Sequence, residues 1–213
     1  MNQCYSLLDK MIMHLDLVRR TLSVKSEFPE RPYPAEHAQE SDLTELEKKH
    51  VAGLMRVNHA GEVCAQALYQ GQALTARSEK IKAVMQSAAV EELDHLAWCN
   101  RRLTELDSRA SYLNMIWYLG ALSLGITAGV LGDRWSLAFL AETENQVAAH
   151  LESHQDKLPV QDERSYQIIA QMHHDERQHR DMALQQGAAT LPRWVREAMR
   201  MSARVMTHIA YRV

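Results

Sequence analysis

Two short blocks of the chain write an acid, then a glutamate, then a histidine three residues after that glutamate: EELDH, from Glu91 to His95, and DERQH, from Asp175 to His179. On an α-helix that spacing lays both side chains on one face, about a turn apart. Glu92 with His95, and Glu176 with His179, are each a two-point edge for a metal ion. A lone glutamate stands one helix upstream of each block: Glu62 is 30 residues before Glu92, and Glu144 is 32 before Glu176. The chain therefore writes Glu, then Glu-x-x-His, twice, at an offset of 82 to 84 residues. One Glu-x-x-His is a weak signal, because charged helix faces produce it by chance. Two copies with matched upstream acids define a ligand set: Glu62, Glu92, His95, Glu144, Glu176 and His179. Four carboxylates crowded into an interior repel one another and lose hydration. Two divalent cations would neutralise them. Oxygen-rich ligation favours iron or manganese over zinc, and one His per metal leaves positions free for dioxygen.

Other polar residues crowd the same blocks. Glu91 and Asp175 each precede their own His by four residues, and read either as acceptors for an imidazole N–H or as solvated acids. His59 and His150 break the repeat and are expected beside the site or in the core, not as ligands. His173 and His174 read as surface residues, Cys64 and Cys99 as core.

The elements that must position this set are helices. No proline occurs between Ala35 and Leu158, in a stretch rich in Ala, Leu, Glu, Gln and Met. No run of alternating β-branched residues suggests a strand. Apolar spacing predicts an amphipathic helix over 4–23, followed by a Pro-containing linker, FPERPYPAEHAQES. Asp42 to Glu45 reads as a capping box opening a helix that reaches about Ala76. A second helix is expected from about Glu79 to Asp107. Asp133 would cap a third bundle helix ending near Lys157. A fourth follows Pro159 to about Gln186, and a last one starts near Pro192. Four helices bearing Glu, Glu-x-x-His, Glu and Glu-x-x-His are the pattern of a ferritin-like dinuclear carboxylate site. The expected fold is all-α: a ferritin-like four-helix bundle made of two helix pairs joined by a long hydrophobic crossover, with extra N- and C-terminal helices. Residues 1–41 would form the N-terminal helix and linker, and 42–213 the di-iron domain with membrane-associating segments.

Bulk properties narrow the class. A net charge of -3 gives no electrostatic case for nucleic acid. Three scattered cysteines build neither a disulfide framework nor a CxxC zinc site. No dinucleotide-binding fingerprint is present, which argues against a built-in Rossmann reductase domain. The N-terminal residues do not read as a signal peptide, since Asp9, Lys10 and Asp16 interrupt any apolar core.

RVNHAGEVCAQALYQGQ (Arg56 to Gln72), the two Glu-x-x-His blocks and AETENQVAAHLESH (Ala141 to His154) resemble the demethoxyubiquinone hydroxylase family over about residues 42 to 211. Asn58 to Glu62, N-H-A-G-E, is the most selective part. The resemblance implies a membrane-associated di-iron monooxygenase of ubiquinone biosynthesis, with two Fe2+ ions per chain and dioxygen as co-substrate. Its electron donor would be NAD(P)H, a partner reductase or the quinol itself. The substrate would be a polyprenyl methoxy-methyl benzoquinol. Carried over residue by residue, the ligands are the same six. Leu151 departs from the pattern, because eukaryotic members tend to carry Tyr there.

The segment from Leu113 to Gly132 carries no charge and is long enough to suggest a membrane span. Gly120, Gly125, Gly129 and Gly132 weaken a lone helix, and a true span would put the two halves of one metal site on opposite sides of the bilayer. A helix lying on or dipping into the membrane is expected, the alternative being a buried crossover. Arg193, Arg196, Arg200 and Arg204 line one face of the last helix beside Trp194, Val195, Met199 and Met201. That pattern suits an anionic membrane surface or a solvated face. The expected setting is a peripheral protein at the cytoplasmic face of the cell membrane. Homo-oligomers and other ubiquinone-biosynthesis proteins remain open as partners. Rival readings are a ferroxidase or iron-storage protein, a manganese catalase, and a non-enzymatic membrane scaffold with structural metals.

Overall fold

A computed structural model describes residues 31–213 together with Asp16, Val18, Arg19, Thr21 and Leu22. Those five are helical, and the rest of the helix expected over 4–23 lies outside the described residues. Among the described residues the protein is all-α, with no strand. Six helices follow in order: α1 Glu45–Thr75, α2 Glu79–Glu105, α3 Asn114–Val130, α4 Asp133–Gln155, α5 Glu163–Gln185 and α6 Arg193–Ala210. The first pair, α1 and α2, packs as a hairpin, as does the second, α4 and α5, and the pairs meet through α1 with α4 and α2 with α5. The expected two-pair bundle with a helical crossover is therefore present.

Two helix starts differ from the sequence reading. The capping box lies two residues later than expected. Thr44 is the N-cap; its hydroxyl accepts from Glu47 N, and the Glu47 carboxylate accepts from Thr44 N. Asp133 does not cap its own helix, whose N-cap is Gly132 at φ 112, a conformation that favours glycine. Instead its two carboxylate oxygens accept from the backbone N–H groups of Arg77 and Ser78, each at 2.9 Å. A side chain at the start of the second pair thus closes the turn of the first.

The crossover α3 is neither a span nor a buried rod. Among the described residues no helix is long and apolar enough to cross a membrane. One face of α3 buries Tyr118, Ala121, Gly125 and Ala128 against α1. The glycines that would weaken a lone helix serve this contact. A Cβ at Gly125 would collide with the Leu68 carbonyl, and one at Gly71 with the Leu122 carbonyl. The other face leaves Met115, Ile116, Leu119, Leu124 and Val130 exposed.

The segment from Arg31 to Ser41 is an ordered strap. Tyr33 and Ala35 are buried in the cluster formed by Trp98, Leu103, Ile168 and Met172. Glu36 and Glu40 pair with Arg101 and Arg102.

Candidate metal centre

Each bundle helix contributes to one buried cluster. Glu62 comes from α1, Glu92 and His95 from α2, Glu144 from α4, and Glu176 and His179 from α5. All six are buried. Their ligand atoms fall into two overlapping groups: Glu62, Glu92, His95 and Glu176, and Glu92, Glu144, Glu176 and His179. Within each group one atom per residue lies within 4.8 Å of all the others. Glu92 and Glu176 belong to both groups, so they stand between two positions, one flanked by Glu62 and His95, the other by Glu144 and His179. Neither His59 nor His150 belongs to either group.

The imidazoles show which atoms face inward. His95 Nδ1 lies 3.1 Å from Glu92, 3.2 Å from Glu176 and 3.5 Å from Glu62. His179 Nδ1 lies 3.5 Å from Glu92 and 3.6 Å from Glu176. The outward Nε2 atoms meet the acids singled out in sequence, but crosswise. Asp175 on α5 accepts from His95 on α2 at 3.0 Å, and Glu91 on α2 accepts from His179 on α5 at 3.2 Å. Of the two readings of these acids, acceptor for an imidazole N–H is the one observed, on the facing helix's ring and not on that of the His four residues on. The i,i+4 partner lies along the same helix, whereas the ring reaches across to the facing one.

Charge in the cluster is unevenly held. Burial, then the neighbouring Glu92 charge, pushes Glu62 well above the ordinary carboxylate range. Burial and the Glu176 charge do the same to Glu144. Glu92 and Glu176 are both held below that range. For Glu92, burial opposes the shift, but the His95 charge and the close approach of Glu62 and His179 outweigh it. Burial and the Glu92 charge oppose the shift at Glu176, where the close approach of Glu144, His179 and His95 prevails. Both imidazoles are raised against burial by the surrounding carboxylates.

The donor set fits two small divalent cations. Buried oxygens with no hydrogen-bond partner occur on all four glutamates (Glu62 Oε2, Glu92 Oε1, and both oxygens of Glu144 and Glu176), together with His179 Nδ1. Buried polar atoms are seldom left unsatisfied. Orphans concentrated on one carboxylate–imidazole cluster mark where a cation would sit. Oxygen-rich donors with one nitrogen each suit iron or manganese.

Two adjoining cavities lie beside the cluster, and the smaller reaches it at Glu62. One, of about 370 Å³, is lined by Glu62, Asn58, His150, Leu151 and Arg204. The other, of about 620 Å³, is mostly apolar and lies among Cys64, Leu68, Ile116, Trp117, Phe139 and Met199. Gly61, Gln146, Val147, Ala203 and Met206 line both, and a side chain at Gly61 would project into open space. His150 stacks 3.9 Å from His154, and its Nε2 is buried without a partner. Burial, then Lys157, pushes His150 down to about 4. His59 is buried, accepts from Asn114 Nδ2 on α3, and is pushed down to about 4 by burial.

The family model of the ubiquinone biosynthesis protein COQ7 matches residues 49–210. The chain belongs to that family. It is 55% identical over 207 residues to the 3-demethoxyubiquinol 3-hydroxylase of Chromobacterium violaceum, covering 97% of this chain and 100% of that protein. Proteins of the same name from Dechloromonas aromatica and Nitrosomonas europaea are each 52% identical over 204 residues, 96% of this chain and 98% of each relative. All six clustered side chains lie inside the segment that defines the COQ7 family.

Sequence reasoning missed one participant. Arg31, in the strap and upstream of the family segment, donates to Asp94 and Asp175, each at 2.9 Å. Its guanidinium lies 4.7 Å from the centre of the Trp98 ring. A lone arginine in a Pro-rich linker carries no periodic signal that could have revealed it.

Proposed function

We propose that the chain hydroxylates a polyprenyl methoxy-methyl benzoquinol, demethoxyubiquinol, at a di-iron centre held by Glu62, Glu92, His95, Glu144, Glu176 and His179. It is an oxidoreductase of ubiquinone biosynthesis and a monooxygenase. The observation that carries the di-iron reading is the pair of overlapping buried groups sharing Glu92 and Glu176. Two ferrous ions bound there would supply the binding and reduction of dioxygen. The balance is one ring C–H, one O2, two electrons and two protons giving one ring C–OH and one water. The electrons are external, from a nicotinamide cofactor or a partner reductase.

The chain's own residues divide the remaining work. Asp175 and Glu91 fix the two imidazoles so that each Nδ1 faces the carboxylates. The smaller cavity, bounded by Glu62, Asn58 and His150, suits a ring bearing oxygens. The larger apolar cavity suits the first part of a prenyl tail. Exposing that tail to water costs ~0.8 kcal/mol per methylene, so the route should open onto lipid. Two exposed surfaces support that. Ile116 and Leu124 on α3 both line the larger cavity and stand exposed. On α6, Trp194, Met201 and Val205 are exposed beside Arg193, Arg196, Arg200 and Arg204. Apolar contact with cation flanks favours an anionic leaflet. On this reading the protein sits peripherally on the cytoplasmic face of the cell membrane, with α3 lying on the bilayer.

The test is hydroxylation under ¹⁸O2. Iron-reconstituted, chemically reduced protein is given demethoxyubiquinol in vesicles, and the product should gain a single ¹⁸O by mass spectrometry. Iron oxidation and mineral uptake without quinol product would favour a storage protein. No oxygen consumption at all would favour a scaffold.

A further inference from the structure

The two halves of the metal centre repeat in sequence but not in their outer supports. On the His95 side, Asp175 is itself locked. Its Oδ2 accepts from His95 Nε2 at 3.0 Å and from Arg31 Nη1 at 2.9 Å, and its Oδ1 accepts from Gln171 at 2.9 Å. Only 5% of its side chain is exposed. Arg31 is held in turn by Asp94 at 2.9 Å and by the Trp98 ring, which packs 5.3 Å from the His95 ring. On the His179 side, Glu91 accepts from His179 at a longer 3.2 Å, and 39% of its side chain is exposed. Among the described residues no guanidinium hydrogen-bonds it.

Partners one layer out from a metal orient its ligands and set their donor strength, and their loss typically costs about 10- to 100-fold in affinity. A buried aspartate clamped by three donors fixes its imidazole. A solvent-facing glutamate with a single partner does not. We infer that Arg31, delivered by the N-terminal strap, is a positioning residue that makes the two metal positions unequal. The Glu62–His95 position is rigid and binds first, and the Glu144–His179 position is looser and binds second. The inference rests on the di-metal reading above. It assigns the strap a role in ordering metal occupancy.

The experiment is an anaerobic titration of metal-free, full-length protein with Co2+ as a visible-absorption probe, repeated with Fe2+. Wild type should fill in two resolved steps, with affinities about 10-fold or more apart. In Arg31→Met the tighter step should weaken by about 10- to 100-fold and merge with the second, and its ligand-field bands should broaden. Arg31→Lys, which keeps one charge but not the forked contact to Asp94 and Asp175, should recover only part of that loss. The mirror variant Glu91→Gln should weaken only the second step. Circular dichroism and thermal melting of each metal-free variant would exclude unfolding as the cause. Two bound ions with both steps unmoved in Arg31→Met would overturn the inference and leave the di-metal reading intact. Failure of wild type to bind two ions would overturn both.

Discussion

The protein buries charge in two places and handles it in opposite ways. Near the strap end of the bundle, Arg102 and Asp162 pair at 2.9 Å with both side chains fully buried. Arg102 also reaches Glu40, Glu105 and Ser165, and Arg164 reaches Glu105. Each acid there has a guanidinium, and Asp162 also caps α5 by accepting from Ser165 N. In the middle of the bundle, four glutamates and two histidines meet, and among the described residues the glutamates' ion pairs are with the two imidazoles alone; they leave orphaned oxygens behind. The first cluster carries its own guanidinium counter-charge, with Asp162 Oδ2 alone of its acid oxygens left without a hydrogen-bond partner, and it fastens elements together. The second has no permanent cation: its acids are offset by protons on Glu62, Glu144 and the two imidazoles, the charge that two metal ions would replace. Burial by itself therefore says little about function. What separates the clusters is whether the chain supplies a permanent counter-charge.

The sharpest way to break the comparison is to remove an acid from the central cluster. Glu144→Ala should reduce quinol hydroxylation to background in the iron-loaded assay. The near-isosteric Glu144→Gln should be equally inactive, yet the metal-free protein should melt no lower than wild type, since a buried carboxylate pushed up by burial and Glu176 gives no net stabilisation without a cation. Wild-type turnover in either variant would remove Glu144 from the ligand set.

The opposite pattern is expected at the strap end. Arg102→Met strands Asp162 as a buried, uncompensated charge, which costs roughly 3–5 kcal/mol. Denaturant unfolding should show that loss, while the folded fraction still binds two ions per chain. A loss below ~1 kcal/mol would mean the pair is not the fastening it resembles.

A smaller effect probes a third buried group that belongs to neither cluster. His154 donates from Nδ1 to Asn58 Oδ1 at 2.7 Å. Burial first, then the charges of His150, Lys157 and His50, pushes its pKa down from 6.5 to about 2. A histidine whose folded pKa is depressed binds its proton mainly in the unfolded chain. Its stabilisation is present above pH 6.5 and is lost as pH falls below that value. Between pH 6 and 5, metal-free wild type should therefore lose ~1 kcal/mol per pH unit more than His154→Gln. Equal slopes would show that His154 is protonated in the native state.

What the sequence disclosed, and what it hid, follow one physical division. The six clustered residues were legible because Glu-x-x-His is a helix-face spacing, and because a repeated offset implies facing helices. The charge-free run from Leu113 to Gly132 was legible as unusual, but its half-burial was not. That depends on Gly71 and Gly125 letting α1 and α3 touch, a fact of tertiary approach. The crossed pairing of Asp175 with His95 and of Glu91 with His179 was hidden for the same reason. Arg31, Arg102 and Asp133 each act on an element distant in the chain, so no local pattern marks them. Local periodicity therefore shows which residues share a helix face, and only packing shows what that face meets.

The most direct measurement is anomalous diffraction at the iron edge from crystals of anaerobically loaded protein. Two peaks per chain are expected, one bounded by Glu62 and His95, the other by Glu144 and His179, with Glu92 and Glu176 touching both. A single peak, none, or density on other residues would contradict the account.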